Sequence, residues 1–442
     1  MSLKPTGLFA KTIPRRLLPK STNLSIKEAL QRLQQQDATK QSYGMYGFGK
    51  WIHHPKLVNA VLSGRLYEVT PVTAEFVPSL ECNYHCPACT YKESKALSTE
   101  ERGQRYMDYQ LLEKIMLQFQ LAGIRGVIFT GGGDPLTYPF LLPAMRLVKG
   151  LGMKIGLFTN GALLDKELIH DLMEEIQPTF IRISLNSATP ENHTLYHGVR
   201  SEFNYFRRVM EAVKYLARLK FERKSPTTIG LGFLVSPRNI ASLVEAGGLF
   251  WQIMMSGSRQ IGQLDYAAFR PEVGYPSHDG RQKEQHPQEL FEEFMRLFEY
   301  HIVPDSQFLP NFKPMAIKER FRDINHPQQQ QFKLCTAHPA RLPVWHNGKV
   351  YLCTEHNGNP FFEIGDFTTQ TFEEIWQGER RQEVIWELNH GGFERNCPPI
   401  CVKTYDNKMF WDILALNQRQ LAAFIAEVSI LQKGKHPADE FF

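Results

Sequence analysis

The sequence predicts an α/β protein built on a parallel sheet, with a smaller cysteine-bearing region towards the C-terminus. Short apolar segments alternate with helix-period segments through residues 73–270, and that alternation reads as βαβ units and hence as parallel strands. The seven cysteines fall into two groups, three within residues 82–89 and four between residues 335 and 401, which divides the chain chemically as well.

Before the first strand the signals are helical. Ser25–Gln36 has Ser25 as N-cap, Glu28 three residues on as in a capping box, and Leu30 and Leu33 on one face. Lys56–Ser63 predicts a second short helix, and the basic stretch Lys11–Lys20, broken by Pro14 and Pro19, reads as a solvated arm. Strands are expected at Thr73–Leu80, Gly126–Thr130, Lys154–Phe158, Phe180–Ser184, Ile229–Val235 and Leu264–Arg270, six in all. Helices between them are signalled by Leu112, Ile115, Met116 and Phe119, by Phe203–Ala217 and by Asn239–Met254.

Cys82, Cys86 and Cys89 follow the first strand with the spacing C-x3-C-x2-C, in a loop rich in Asn, His and Pro. A closed zinc site wants four ligands and disulfides want pairs, whereas a 4Fe-4S cluster on three thiolates keeps one iron open. A zinc site with His85 as fourth ligand and a set of unlinked buried cysteines are the alternatives, the latter at odds with the polar surroundings. Gly131-Gly-Gly-Asp-Pro135 ends the second strand, and glycines there let backbone approach a ligand closely, although such a run is often only a turn. Thr159, Asn160, Ser184 and Asn186 stand at or just beyond strand carboxyl ends, where α/β sheets carry their sites and where Ser and Asn also cap helices.

In this order the segments resemble the signature of the radical S-adenosylmethionine (radical SAM) superfamily. The resemblance implies a partial (β/α)6 TIM-like barrel over residues 73–304, with a 4Fe-4S cluster on Cys82, Cys86 and Cys89. It also implies S-adenosylmethionine bound at Gly131, Gly132, Gly133, Asp134, Thr159, Asn160, Ser184 and Asn186. The glycine turn, Gly-Gly-Glu-Pro in the family and with Asp134 in the acidic place here, would receive the methionine ammonium; Ser184 and Asn186 would contact ribose or carboxylate. The family's aromatic residue before the third cysteine is Ala88 in this chain, which leaves Tyr84 or Tyr91 to face adenine, or both simply to pack.

Cys335-x12-Gly348-x4-Cys353 and Cys397-x3-Cys401 resemble the opening and closing elements of a SPASM domain, in the shorter version called twitch because the intervening cysteines are absent. An auxiliary 4Fe-4S cluster on Cys335, Cys353, Cys397 and Cys401 is implied, with a four-thiolate zinc site as the alternative. Asn347-Gly348 between two apolar runs predicts a hairpin that delivers Cys353. The organisation expected is an N-terminal helical extension over residues 1–72, the barrel, a small cysteine-rich α+β auxiliary-cluster domain over 305–405, and a C-terminal helix within 406–442 centred on Met409–Leu431. Pro271–Pro287 reads as a loop, Glu289–Tyr300 as a helix, and Pro304–Gln331 as a segment with further breakers. The extension has too few strand signals to resemble a winged-helix peptide-recognition module.

With 442 residues, 42% hydrophobic, 22% charged and a net charge of +5, nothing demands a nucleic-acid partner. No apolar run approaches the ~20 residues of a membrane span and no apolar secretory segment follows the first charges, so a cytoplasmic protein is expected, in the reducing compartment that iron-binding thiolates need. The resemblance implies reductive cleavage of S-adenosylmethionine to a 5'-deoxyadenosyl radical that abstracts hydrogen from a substrate, with a reductant such as flavodoxin or ferredoxin. A peptide or protein substrate is expected, for oxidation, cross-linking or bond rearrangement. Alternatives are a sugar, nucleoside or aminocyclitol dehydrogenase, a peptide epimerase and, outside enzymes, a zinc-stabilised binding protein. Epimerisation wants a free thiol, and three plus four cluster ligands leave none of the seven cysteines over.

Overall fold

The computed structural model describes residues 51, 54–62, 64–89, 91, 105–272, 288–316, 335–397, 401, 403–414, 416 and 419–424. The expected helix Ser25–Gln36, the basic stretch Lys11–Lys20, residues 273–287 and 317–331, and residues 425–431 of the C-terminal helix lie outside them. The chain forms two compact units, one of Met1–Glu75, Lys114–Gly126 and Gln328–Phe442, the other of Phe76–Glu113 and Val127–Pro327. No helix among the described residues is long and apolar enough to cross a membrane.

The second unit holds most of the parallel strands. In spatial order the sheet runs β1 (Thr73–Phe76), of which only Phe76 belongs to this unit, then β2 (Gly126–Phe129), β3 (Lys154–Thr159), β4 (Phe180–Ser184), β5 (Thr228–Val235), β8 (Tyr266–Pro271) and β9 (Lys313–Ala316); β6 (Met255–Ser256) and β7 (Arg259–Gln260) make a separate small hairpin. From β3 onward each pairing is parallel, with Gly156 opposite Phe180, Arg182 opposite Gly230 and Gly230 opposite Tyr266. Gly156 and Gly230 are required by packing, because a Cβ at either would overlap the ring of Phe180 or Tyr266. The guanidinium of Arg182 lies 3.6 Å from the centre of the Phe158 ring.

Ile181, Ile183, Leu231 and Phe233 are fully buried, as are Val209, Val213 and Leu216 of helix Tyr205–Arg223. Phe233 stacks on Phe269 at 4.7 Å, and Phe269 in turn meets Phe294 and Phe298 at 5.7 Å. Each such side chain contributes about 1.5–3 kcal/mol on burial, so this aromatic layer is what fastens the helices to β5 and β8.

Some boundaries differ from the sequence expectation. β1 stops at Phe76 instead of Leu80 because Pro78 has no N–H to give to a ladder, and Leu80 and Met107 make isolated bonds to Arg105 and Pro78 instead. Lys-Pro-Met-Ala of β9 shows no apolar run, yet it pairs parallel to β8, and its proline is tolerated because β9 ends the sheet order. The expected helix Asn239–Met254 begins as a 3-10 turn, Ile240–Glu245, before Ala246–Met254, and Glu289–Tyr300 is regular over Gln288–Leu297.

In the first unit, helix Pro55–Leu62 buries Leu57, Val58 and Val61 in a cluster with Trp51, Phe410 and Ile413. The C-terminal helix starts earlier than its periodicity suggested, at Thr404, and runs to Leu414. β10 (Arg341–Val344), β11 (Lys349–Tyr351) and β12 (Glu363–Asp366) form an antiparallel meander. The hairpin is present at Asn347-Gly348, but of the two only Gly348 takes a positive φ (86°), and its N–H donates to the Trp345 carbonyl at 2.9 Å. This is a type I turn closed by a glycine bulge, a three-residue loop instead of a two-residue one. Arg381 is fully buried, donating to the carbonyls of Leu66 and Trp376 at 3.0 and 2.8 Å, and burial pulls its pKa down to about 9.

Candidate functional site

The end of β1 leads straight into the first cysteine group. Once Pro78 has broken the ladder, the chain pairs with the glycine turn: Gly133 N–H donates to the Ser79 carbonyl (3.0 Å) and Asp134 N–H to the Glu81 carbonyl (2.7 Å). A Cβ on Gly133 would overlap the Glu81 carbonyl, and one on Gly131 would overlap the carbonyl of Gly133, so close backbone approach requires both glycines. Cys82, Cys86 and Cys89 are in no disulfide, and each is partly exposed. Cys82 Sγ accepts from Tyr84 N–H (3.4 Å) and Asn160 Nδ2 (3.8 Å), while Cys86 Sγ lies 3.1 Å from His197 Nδ1. His85 itself is exposed, and its N–H donates to the His197 carbonyl at 3.0 Å. Among the described residues no three or more His, Cys, Asp or Glu side chains converge on a single metal-ion position.

Asp134, only 4% exposed, gathers the neighbouring elements. Its carboxylate accepts from Leu136 N–H (2.9 Å), Asn160 N–H (2.7 Å) and Thr159 Oγ1 (2.9 and 3.0 Å), which caps the short 3-10 turn Pro135–Thr137 and clamps the end of β3 to the glycine turn. Asp134, Thr159, Asn160 and Cys82 therefore come together at one corner. Ser184 stands partly exposed at the end of β4, two residues before Asn186. Asn186 has a left-handed backbone (φ 56°) and its Oδ1 accepts from Leu234 N–H at 2.9 Å, while its carbonyl accepts from Asn239 Nδ2 at 2.6 Å.

Two histidines beside the cysteine loop were not found from sequence. His193 and His197, four residues apart on helix Pro190–His197, are both buried. His197 Nε2 faces the Leu185 carbonyl at 3.0 Å and so donates to it, which leaves Nδ1 as the acceptor towards the Cys86 thiol and links that cysteine to the end of β4. Burial, and next the nearby imidazole of His197, push the His193 pKa down to about 3; burial pushes that of His197 down to about 4 against the opposing pull of the Leu185 carbonyl. Tyr84 is 2% exposed, its hydroxyl 2.9 Å from His193 Nε2, and its ring packs on His197 and Tyr205. Tyr84 is thus a packing residue, and burial raises its pKa. An i, i+4 histidine pair after a Thr-Pro helix start was the available signal, yet histidines on a helix are read as surface or core unless a partner is known.

The second group lies in the other unit. Cys335 Sγ receives the amides of Ala337 and His338 and Asn407 Nδ2 at 3.9 Å, and the Asn407 Oδ1 is fixed by Thr336 and Ala337 N–H at 2.8 and 3.1 Å. Cys401 Sγ accepts from Lys403 N–H at 3.3 Å and Thr404 Oγ1 at 3.9 Å, and Cys353 follows β11 as the hairpin predicts. Burial raises all four thiol pKa values, that of Cys401 up to about 12. The thiols also raise one another: Cys397 responds to Cys335, Cys353 and Cys401, which puts the four in one neighbourhood.

The donor chemistry suits iron-sulfur clusters: three and four thiols stand close in sequence or fold, Cys82, Cys335 and Cys401 receive N–H donors, and in the second group burial disfavours the thiolate, which a metal's positive charge would offset. Beside the first, Asn83 Nδ2 is a buried donor without a hydrogen-bond partner among the described residues, as a group awaiting a bound acceptor would be.

Residues 76–245 match the Radical SAM superfamily and residues 335–403 match SPASM, an iron-sulfur cluster-binding domain. The chain is 22% identical over 314 residues to the AdoMet-dependent heme synthase of Methanosarcina barkeri, covering 67% of this chain and 79% of that protein. It is 22% identical over 245 residues to the dTDP-4-amino-4,6-dideoxy-D-glucose ammonia-lyase of Streptomyces venezuelae, covering 53% and 46%. Among solved structures it resembles Streptococcus suis SuiB, with a TM-score of 0.53 at 15% identity over 73% of this chain and 69% of that one. A SuiB structure bound to the precursor peptide SuiA gives 0.51 at 15% identity over 71% and 66%.

Proposed function

The chain belongs to the radical SAM superfamily and carries a C-terminal SPASM iron-sulfur domain, and from that premise we propose that it modifies a peptide or protein by hydrogen abstraction followed by net oxidation, cross-linking or bond rearrangement. Radical SAM domains bind a 4Fe-4S cluster and S-adenosylmethionine, and SPASM domains bind auxiliary iron-sulfur clusters. When bound, the cluster and S-adenosylmethionine supply a one-electron route to hydrogen abstraction from an unactivated carbon.

The chain's own residues divide the remaining work. Cys82, Cys86 and Cys89 would hold the first cluster, and Cys335, Cys353, Cys397 and Cys401 the auxiliary one. Asp134 keeps the glycine turn against the end of β3, so that the carbonyls of Gly131, Gly132 and Gly133 can receive an ammonium group without obstruction from side chains. Ser184, and Asn186 through the part of its amide not committed to Leu234, would contact polar atoms of the same ligand. Tyr91, half-buried just after Cys89, is the aromatic residue left for adenine once Tyr84 is committed to packing. With four thiols the auxiliary site would be closed by protein ligands, which suits accepting an electron and favours an oxidative outcome over epimerisation.

The observation that carries the peptide reading is the fold likeness to SuiB, one structure of which has a precursor peptide bound. The similarity to a heme synthase and to a nucleotide-sugar lyase favours a second reading, a small-molecule substrate. A direct test is anaerobic reconstitution followed by incubation with S-adenosylmethionine, a flavodoxin reductant, and short peptides encoded beside the gene. The expected results are about eight irons per chain, deoxyadenosine release, and a mass change in one peptide. Deoxyadenosine release stimulated only by a sugar or porphyrin substrate would favour the second reading, and zinc in place of iron would refute both.

A further inference from the structure

We propose that Asn160 is a positioning residue for the iron-sulfur cluster instead of a contact for S-adenosylmethionine: its side-chain amide donates to the sulfur of Cys82 and raises the reduction potential of the cluster held there. The proposal rests on the radical SAM reading of Cys82, Cys86 and Cys89.

The orientation of this amide is fixed by its neighbours. Oδ1 accepts from Ala162 N–H at 2.9 Å, so Nδ2 is the end that faces the cysteine loop. Nδ2 has two hydrogens and two acceptors, Asn83 Oδ1 at 2.8 Å and Cys82 Sγ at 3.8 Å. Both donors of the side chain are therefore committed to the residue that would ligate iron and to the residue next to it. The backbone is held equally firmly, since Asn160 N–H donates to the buried Asp134 carboxylate at 2.7 Å. Tyr84 N–H, 3.4 Å from the same sulfur, is a second N–H donor on Cys82.

The direction of the effect follows from charge. Reduction adds an electron to a cluster whose sulfurs already carry negative charge, and an N–H donor stabilises the more negative state. Hydrogen bonds to charged acceptors are about twice as strong as neutral ones, so a thiolate gains more from this amide than the thiol does. Removing the donor moves the potential to more negative values and makes the cluster harder to reduce. The same contact ties the glycine turn, through Asp134, to the cysteine loop, so the S-adenosylmethionine corner and the cluster corner share one amide.

The test is a dye-mediated redox titration of the full-length, anaerobically reconstituted protein, followed by electron paramagnetic resonance with and without S-adenosylmethionine. In Asn160→Ala the ratio of reduced to oxidised cluster at the wild-type midpoint is expected to fall about tenfold, which for a one-electron couple is 59 mV. Asn160→Ser, whose hydroxyl can still accept the Ala162 amide but does not reach the sulfur, is expected to shift in the same direction and covers the case in which the alanine variant takes up no iron. A midpoint equal to wild type in the serine variant, together with weaker binding of S-adenosylmethionine, would overturn the proposal and make Asn160 a ligand contact. Failure of the wild-type protein to take up iron would instead refute the underlying reading.

Discussion

Asp134→Asn removes one negative charge and almost no volume, and its consequence can be worked out from the donors that surround the carboxylate. One oxygen accepts from Leu136 N–H and Thr159 Oγ1, the other from Asn160 N–H and Thr159 Oγ1. An asparagine has a single oxygen to offer. Whichever way its amide turns, its NH2 faces a buried backbone N–H, either that of Leu136 or that of Asn160. The variant thus loses one charge-assisted hydrogen bond, worth about 1.5–3 kcal/mol, and leaves one donor unsatisfied, at about 1–3 kcal/mol. Some relaxation of the 3-10 turn offsets part of this, so a net loss of about 3 kcal/mol is expected, a large share of the ~5–15 kcal/mol that holds an ordinary domain. Urea unfolding of the apoprotein under reducing conditions measures it directly. A lower midpoint with an unchanged slope is expected, and in the reconstituted protein the KM for S-adenosylmethionine should rise, because the turn is no longer clamped to β3. A midpoint indistinguishable from wild type would mean that the carboxylate is not the clamp described above.

Two further outcomes are expected. Replacing Cys335 and Cys353 together by alanine should lower iron from about eight to about four per chain and abolish product while leaving some uncoupled cleavage of S-adenosylmethionine, as read by iron analysis and chromatography of deoxyadenosine. Lys220→Met should destabilise the parallel-sheet unit by about 3–5 kcal/mol, because it strands the carboxylate of Asp265, which now pairs with Lys220 at 3.0 Å with both side chains 6% exposed. Burial already raises the Asp265 pKa against the opposing pull of Lys220. Without the lysine it rises further, so the native state of the variant binds that proton more tightly than the unfolded chain does. The deficit should therefore narrow as pH falls and the carboxyl is protonated, and widen as pH rises through the raised folded-state value; a pH-independent deficit in urea titrations would contradict this.

How far the site was legible follows the range of the interactions. Cys82, Cys86, Cys89 and the Gly131–Pro135 turn were readable because their chemistry is written in local spacing: three thiols within eight residues, and glycines at a strand end. The order of strands β1 to β5 was readable because each is a short apolar run bounded by breakers, whereas β9 was not, since Lys-Pro-Met-Ala acquires its strand character only from the edge of β8. The hydrogen-bonding shell was the least legible part. Nothing local to Asn83 or His197 says that one meets an amide 77 positions away or that the other meets a sulfur 111 positions away. Asn160 illustrates the difference most sharply. Its place after a strand marked it as a candidate site residue, but strand-end position gives only the neighbourhood of a side chain. Which partner takes each hydrogen is decided by the fold, and here the fold turns the amide towards Cys82 by giving its oxygen to Ala162. A residue that sequence position offers to the ligand can in this way be claimed by the cluster's own cysteine, and the two roles differ in a measurable quantity, a binding constant in one case and a potential in the other.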